Sequence, residues 1–358
     1  MLQILFVDDE QKIRDGLKRT LRPLRHAWNY EFAPGGVDAL QMLNRGAFDV
    51  VVTDVRMPVM DGMELLKQVK TQYPHLLRIV LSGQSELENL IKSSGISHQY
   101  LTKPCSLEEL KAAVERASLL KRLLPDPFLA ELASEVDVIP SVSPVYWKLG
   151  RLLKSPLACA EEAGSVVAQD MGLCAKVLQT ANSGCFARIQ FISDPTDAVG
   201  LLGPSGLQNL SAQRAFQECK PQGGASFDMD RLWRHSLQCS RLAREIAGTL
   251  DEADDEVQNQ AGVAGLLHDV GKLIMACNLP EQYERAAELA AKEGLSDVEA
   301  ERRVFQTSHA ELGAYVMALW NIPDPIVEAI AYHHAPAAAI SLENPVLTAV
   351  HAAELACR

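Results

Sequence analysis

Val51-Val-Thr-Asp-Val-Arg-Met-Pro58 starts as an apolar run, presents a carboxylate at Asp54 and breaks at a proline. A short β-branched run closed by a turn signal predicts a buried strand, here Val50–Thr53. Working outward, Ile4–Val7 leads into Asp8 and Asp9, Ile79–Leu81 into Ser82, and Tyr100–Leu101 into Lys103. Tyr30–Ala33 reads as one further strand. Amphipathic stretches at Gln11–Leu21, Val37–Leu43, Met63–Gln72, Glu86–Ser93 and from Leu107 onward separate them. This alternation predicts an α/β domain with a five-stranded parallel sheet and five helices. Parallel strands deliver their last residues to one edge, where open α/β sheets place a ligand crevice. Three carboxylates, a hydroxyl and an ammonium therefore converge there. Crowded acids repel unless a cation sits among them, which calls for a hard, oxygen-seeking ion such as Mg²⁺. Such a pocket can hold a phosphoryl group on one carboxylate, its charge shared by the metal, hydroxyl and lysine.

The 358 residues are enough for two or three domains. A hydrophobic content of 47% fits packed cores, and a formal charge of -12 argues against nonspecific attraction to DNA or anionic membrane. Eight cysteines are scattered without a Cys-x-x-Cys pair, as expected of reduced thiols. The chain opens directly on strand and acid, so no signal peptide is expected. No apolar run approaches the ~18 residues needed to span a bilayer. A cytoplasmic protein without membrane insertion is predicted.

The helix from Leu107 carries Leu110, Val114, Ala117, Leu120 and Leu124 at three- and four-residue steps until Pro125-Asp-Pro127 stops it. Residues 107–127 thus form a helical extension and linker after a first domain over 1–120. The stripe fits either an ordinary packed helix with an overhang or a signalling helix that also makes a homodimer seam. Residues 128–358 turn alanine- and leucine-rich, and helical periodicity replaces strand-like alternation. Helices are expected at Val145–Leu153, as two short segments within Val166–Ala181, and from Arg231 onward, after an interruption at Pro221–Ala225. The acidic stretch Asp251–Glu256 reads as a solvated loop.

A second constellation begins at Gly265-Leu-Leu-His-Asp-Val-Gly-Lys272, a His-Asp pair read as lying within an apolar helix. His235, His309, His333, His334 and Glu354 fall on predicted helices, and ligands scattered over helices can converge inside a bundle. Imidazole and carboxylate together suit Fe, Mn or Zn. Lys272, on the His268 face, would contact a phosphate or, more simply, end the helix in solvent.

The first constellation resembles the receiver domain of two-component response regulators, carried by Asp8-Asp9, Val51–Pro58, Asp61-Gly62, Ser82-Gly83 and Lys103-Pro104. The resemblance implies strand order 2-1-3-4-5 and Asp54 as phosphoacceptor, served by a histidine kinase, a phosphotransfer protein or a small phosphodonor. It implies Mg²⁺ on Asp8, Asp9, Asp54 and the Val55 carbonyl, with Ser82 and Lys103 contacting the phosphoryl group and Tyr100 as switch aromatic. Pro104 often follows a cis peptide in this family, and Gln84 and Arg56 flank the pocket.

The second constellation resembles the HD superfamily of metal-dependent phosphohydrolases, and more closely its HDOD branch, an all-helical signalling output domain. Pro140–Val145, Val166–Asp170, Leu178–Ser183, Ala198–Gly203, Trp233–Ser236 and Leu319–Pro323 carry the likeness. HDOD domains are generally without demonstrated hydrolase activity. Yet His235, His268, Asp269, His309, His333, His334 and Glu354 all have counterparts in the cyclic-dinucleotide phosphodiesterase branch. Two departures stand against catalysis: Ala335-Pro-Ala-Ala-Ala339 follows His334, and Arg231 occupies a position that holds a glutamate in that branch.

Three readings follow. The first is a phosphorylation-switched regulator whose HDOD output works through contact with a downstream protein. The second is a receiver-gated phosphohydrolase or cyclic-dinucleotide phosphodiesterase. The third, a transcription factor, is disfavoured by the acidic balance and the absence of a basic recognition helix.

Overall fold

The computed structural model describes the chain except residues 84–95, 125, 135, 137–138, 142, 156–158, 183–190, 213–226, 251–253, 340–342 and 358. The chain divides into two compact units, one from Met1 to Glu135 and one comprising Val136–Asn182 and Phe191–Arg358.

In the first unit, strands β1 (Leu2–Val7), β2 (Trp28–Ala33), β3 (Val50–Asp54), β4 (Leu77–Ser82) and β5 (Gln99–Thr102) form one sheet in the order β2-β1-β3-β4-β5. Every pairing is parallel, with Val7 opposite Thr53, Asp54 opposite Leu81 and Ser82 opposite Thr102. The first four residues of β3 and all of β4 are buried, as the near-continuous apolar runs of a sheet covered on both faces require. Helices α1 (Gln11–Thr20), α2 (Gly36–Leu43), α3 (Gly62–Gln72) and α4 (Leu107–Leu123) connect or follow the strands. Leu5, Val7, Val51 and Val80 share one core with Leu65, Leu66 and Val69 of α3. The helix expected at Glu86–Ser93 lies outside the described residues. Helix α4 starts on a capping box between Ser106 and Glu109, and Leu110, Val114, Ala117, Leu120 and Leu124 are all buried. A short helix α5 (Pro127–Ser134) ends the first unit.

The second unit is helical throughout its described residues. Its elements are α6 (Ser143–Leu152), α7 (Ala160–Val167), α8 (Met171–Ala181), α9 (Pro195–Ala212, kinked at Gly203), α10 (Met229–Ala247) and α11 (Asp255–Leu267). Then come α12 (Val270–Asn278), α13 (Pro280–Glu293), α14 (Asp297–Phe305), α15 (His309–Leu319), α16 (Asp324–Tyr332) and α17 (Pro345–Cys357). Helix α10 packs on α11 and α17, α12 on α15, and α16 on α15 and α17.

Several boundaries differ from the sequence reading. The paired short helices begin at Ala160 rather than Val166, because Glu161 and Glu162 occupy a first turn where acids complement exposed N–H groups. Asp254 of the acidic stretch is no mere loop residue: its side chain accepts from Val257 N and caps α11. The interruption at Pro221–Ala225 lies outside the described residues. His268 and Asp269 do not lie within one helix. Helix α11 ends at Leu267 and α12 starts at Val270, so the pair occupies the break. His333 and His334 likewise follow the end of α16. Among the described residues no helix is long and apolar enough to cross a membrane.

Candidate functional sites

Asp54 ends β3, and Asp8 and Asp9 directly follow β1, its sheet neighbour, so ligand oxygens of all three lie within 4.8 Å of one another. Lys103, immediately after β5, places Nζ 2.9 Å from Asp54 Oδ1 and 3.1 Å from Asp8 Oδ2. Its peptide bond to Pro104 is cis. Burial pulls the lysine's pKa down, but the Asp54 and Asp8 carboxylates outweigh it and raise it. One ammonium against three acids leaves a negative excess, the condition under which a divalent cation fits.

Ser82, the last residue of β4, is buried, with its hydroxyl donating to Gly83 O at 3.1 Å. The Val55 carbonyl accepts from Gly62 N at 2.8 Å, which keeps a second lone pair for a cation. Gly62 is required by packing: a Cβ there would lie 1.9 Å from the Asp54 carbonyl oxygen. Arg56 is exposed. Tyr100 lies in β5, and its side chain, like Gln84, is outside the described residues.

In the second unit, all seven predicted ligands converge. His235 Nε2 lies 3.3 Å from His268 Nε2 and 2.9 Å from Glu354 Oε2. His268 Nε2 is 3.5 Å from Asp269 Oδ2 and 3.4 Å from Glu354 Oε2. On the other side of Asp269, Oδ1 lies 3.1 Å from His309 Nε2 and 4.0 Å from His333 Nε2, and His309 Nε2 lies 3.0 Å from His334 Nε2. Asp269 therefore faces two donor groups, one with each carboxylate oxygen. Asp269 stands in the break between α11 and α12, with φ −100° and ψ 10°. Gly271 lets α15 come close enough, because a Cβ there would lie 1.9 Å from the His309 carbonyl oxygen.

The imidazoles are held by their far nitrogens. His268 Nδ1 donates to Gly265 O at 2.7 Å and His333 Nδ1 to Ile330 O at 2.8 Å, which turns each Nε2 lone pair inward. His309 Nδ1 meets Glu301 Oε2 at 2.7 Å, and Glu301 also accepts the His309 backbone N–H at 2.8 Å. Burial and the neighbouring His268 and His334 keep His333 neutral, while burial and His309 push His334 down to about 3. Burial pulls His309 down as well, but Glu301 overrides it and the imidazole rises to about 9. Burial pushes the Asp269 carboxyl up, yet Lys272, His268 and His309 hold it well below the usual carboxylate range.

One buried atom of the cluster, His333 Nε2, makes no hydrogen bond, while Asp269 Oδ1 pairs with His309 Nε2. Leaving such an atom orphaned costs about 1–3 kcal/mol, and a cation bound by it removes that cost. Sequence reasoning missed two residues here. Glu301 gives no periodic signal, being separated from His309 by a turn. Cys239 does give one, four residues after His235 on the same face of α10, with Sγ 3.6 Å from His235 Nε2. Lys272 is not a solvated helix-end lysine: Nζ lies 3.1 Å from Asp269 Oδ2 and 3.4 Å from Asp297 Oδ2.

Residues 4–115 match the family model of the response regulator receiver domain, and residues 139–336 match that of the HDOD domain. An uncharacterized protein of Treponema pallidum (strain Nichols) is 24% identical over 64% of this chain and 44% of its own length. Response regulator MprA of Mycobacterium leprae is 36% identical over 35% of this chain and 54% of its own. The chain thus spans about half the length of these curated relatives. In fold, the MmoQ response regulator of Methylococcus capsulatus str. Bath is similar at a TM-score of 0.51 and 22% identity, over 62% of this chain and 86% of that one.

Proposed function

The chain belongs to the HDOD family and carries a response regulator receiver domain ahead of its HDOD domain, and from that premise we propose that Asp54 phosphorylation controls the HDOD domain's contact with a downstream protein. The observation that carries this reading is Lys103 Nζ, held 2.9 Å from Asp54 and 3.1 Å from Asp8. Asp54 presents a carboxylate oxygen to the phosphorus of a histidine kinase, phosphotransfer protein or small phosphodonor. The new O–P bond forms as the donor's bond to phosphorus breaks. Lys103 then turns from the carboxylate to the phosphoryl oxygens, and Ser82, at the adjacent strand end, supplies a hydroxyl to them. Asp8, Asp9, Asp54 and the Val55 carbonyl would hold Mg²⁺, which when bound offsets the negative charge of the transferred group. Such a switch works only through the difference in free energy that phosphate makes between two arrangements. The protein acts in the cytoplasm.

The test is to treat the full chain with beryllofluoride and Mg²⁺ and to measure its oligomeric state and its hydrogen exchange in both domains. A change in self-association or in HDOD protection, absent in Asp54→Asn, is expected. No response in either measurement would refute the reading.

A second reading, a metal-dependent phosphohydrolase, is favoured by the donor groups that share Asp269 and by the orphaned His333 Nε2. His235, His268, Asp269 and Glu354 would hold one Fe, Mn or Zn ion, and Asp269, His309, His333 and His334 another. Bound metal there would supply Lewis acidity toward a phosphate ester. Glu301 and the Gly265 and Ile330 carbonyls hold the imidazoles ready, and Lys272 keeps Asp269 ionised. Turnover of cyclic dinucleotides or other phosphodiesters by the metal-loaded chain, lost in His268→Ala, would select this reading over protein contact alone.

A further inference from the structure

The first half of the histidine cluster contains a donor that neither reading uses. Cys239 is fully buried, and its Sγ lies 3.6 Å from His235 Nε2 and 3.8 Å from Glu354 Oε2. These three atoms and a His268 nitrogen all lie within 4.8 Å of one another. Zinc bonds of ~2.3 Å to sulfur and ~2.0–2.2 Å to nitrogen and oxygen, at tetrahedral angles, put S and N about 3.6 Å apart, N and N about 3.3 Å, and N and O about 3.4 Å. The structure has 3.6 Å for Cys239–His235, 3.3 Å for His235–His268 and 3.4 Å for His268–Glu354. The Cys239–Glu354 edge is 3.8 Å, and His235–Glu354, at 2.9 Å, is shortened by its hydrogen bond.

Resting on the reading of the cluster as a metal centre, we propose that Cys239 is a metal ligand, supplying a thiolate beside His235, His268 and Glu354. Coordination expels the thiol proton to solvent as the metal–sulfur bond forms. Helical geometry brings this about: His235 and Cys239 stand four residues apart on α10, so both side chains project toward α17, where Glu354 lies, and toward the end of α11. The Asp269 carboxylate, with Oδ2 at 3.5 Å from His268 and 3.8 Å from His235, remains at the border of the two halves. Its Oδ1, 3.1 Å from His309 Nε2, faces the second group, which offers only nitrogen and oxygen. The two halves therefore differ chemically. Sulfur inclines the first toward zinc or ferrous iron and away from manganese or magnesium, while the second takes metals suited to imidazole and carboxylate.

The probe is cobalt(II) alone, titrated into the metal-free full chain. A thiolate-to-cobalt charge-transfer absorption in the near ultraviolet is expected. It should be lost in Cys239→Ser and kept in His333→Ala and in Cys357→Ser, which removes the other thiol at this end of the domain. Zinc affinity of the first site should fall at least ~10-fold in Cys239→Ser. Cobalt bound by the wild-type chain without this absorption would overturn the proposal, and that outcome needs no variant. Absorption that survives in folded Cys239→Ser, as judged by circular dichroism, would overturn it as well. Failure of the wild-type chain to bind any cobalt would overturn the underlying metal reading itself, which separates the two failures.

Discussion

Glu301→Gln tests whether a buried charge holds His309 in place. The Glu301 carboxylate is 4% exposed and meets His309 Nδ1 at 2.7 and 2.9 Å and its backbone N–H at 2.8 Å. Glutamine keeps the shape and an oxygen for the backbone N–H but removes the charge. That charge does most to lift His309 from 6.5 to about 9 against its burial, with Asp269 adding to it. Because the folded value lies above the unfolded one, protonated His309 adds stability fully below pH 6.5 and loses it as the pH rises through about 9. At pH 7 the contribution in the metal-free chain is about 2–3 kcal/mol, at 1.36 kcal/mol per tenfold difference in proton affinity. Asp269, lowered well below the usual range, stays ionised throughout this window and does not obscure it. Urea unfolding of wild type and variant, both metal-free, from about pH 6 to about pH 10 reads the difference directly. The gap should be near its full size at the acid end and close at the alkaline end. A gap that is absent, or that persists unchanged at high pH, would refute the electrostatic account and leave only packing. With zinc present, the same variant should bind metal at its second site roughly 10–100-fold more weakly.

Asp54→Asn should abolish phosphate incorporation from a small phosphodonor, read by phosphate-affinity electrophoresis; labelled variant would place the acceptor elsewhere. Gly62→Ala sets a Cβ 1.9 Å from the Asp54 carbonyl oxygen, so the folded receiver unit should be destabilised by at least ~2 kcal/mol. An alanine variant as stable as wild type would contradict the close approach. Zinc supplied at about 100 times its dissociation constant should stabilise the second unit by about 2.7 kcal/mol, and chelation should reverse this. A calorimetric midpoint indifferent to both would argue that the histidines bind no metal.

The receiver pocket was readable because its chemistry is tied to strand ends. A parallel strand that stops at Asp54, Ser82 or just before Asp8 and Lys103 can only deliver those side chains to one edge, so local pattern implies the site. The second unit gives no such guarantee. His235 and Glu354 are 119 residues apart yet hydrogen-bonded, and nothing in helical periodicity predicts that pairing. The residue reading named the seven ligands and resemblance tied them to one site, but that reading placed His268 and Asp269 inside a helix and, for Lys272, preferred a solvated helix end to a phosphate contact. The structure instead breaks the helix between α11 and α12, and Asp269, in that break, faces two groups at once.

Composition, strand–helix alternation and motif spacing were sufficient for the two-domain plan, the parallel sheet and the place of Asp54 at its edge, since each depends on contacts close along the chain or on a sheet edge. Tertiary packing alone decided that Glu301 would grip His309, that Lys272 would reach Asp297, and that Cys239 would face Glu354. The physical reason is range. Periodicity encodes which face of an element is buried, whereas the partner met on that face depends on how helices distant in sequence cross, and on one glycine at which two of them touch.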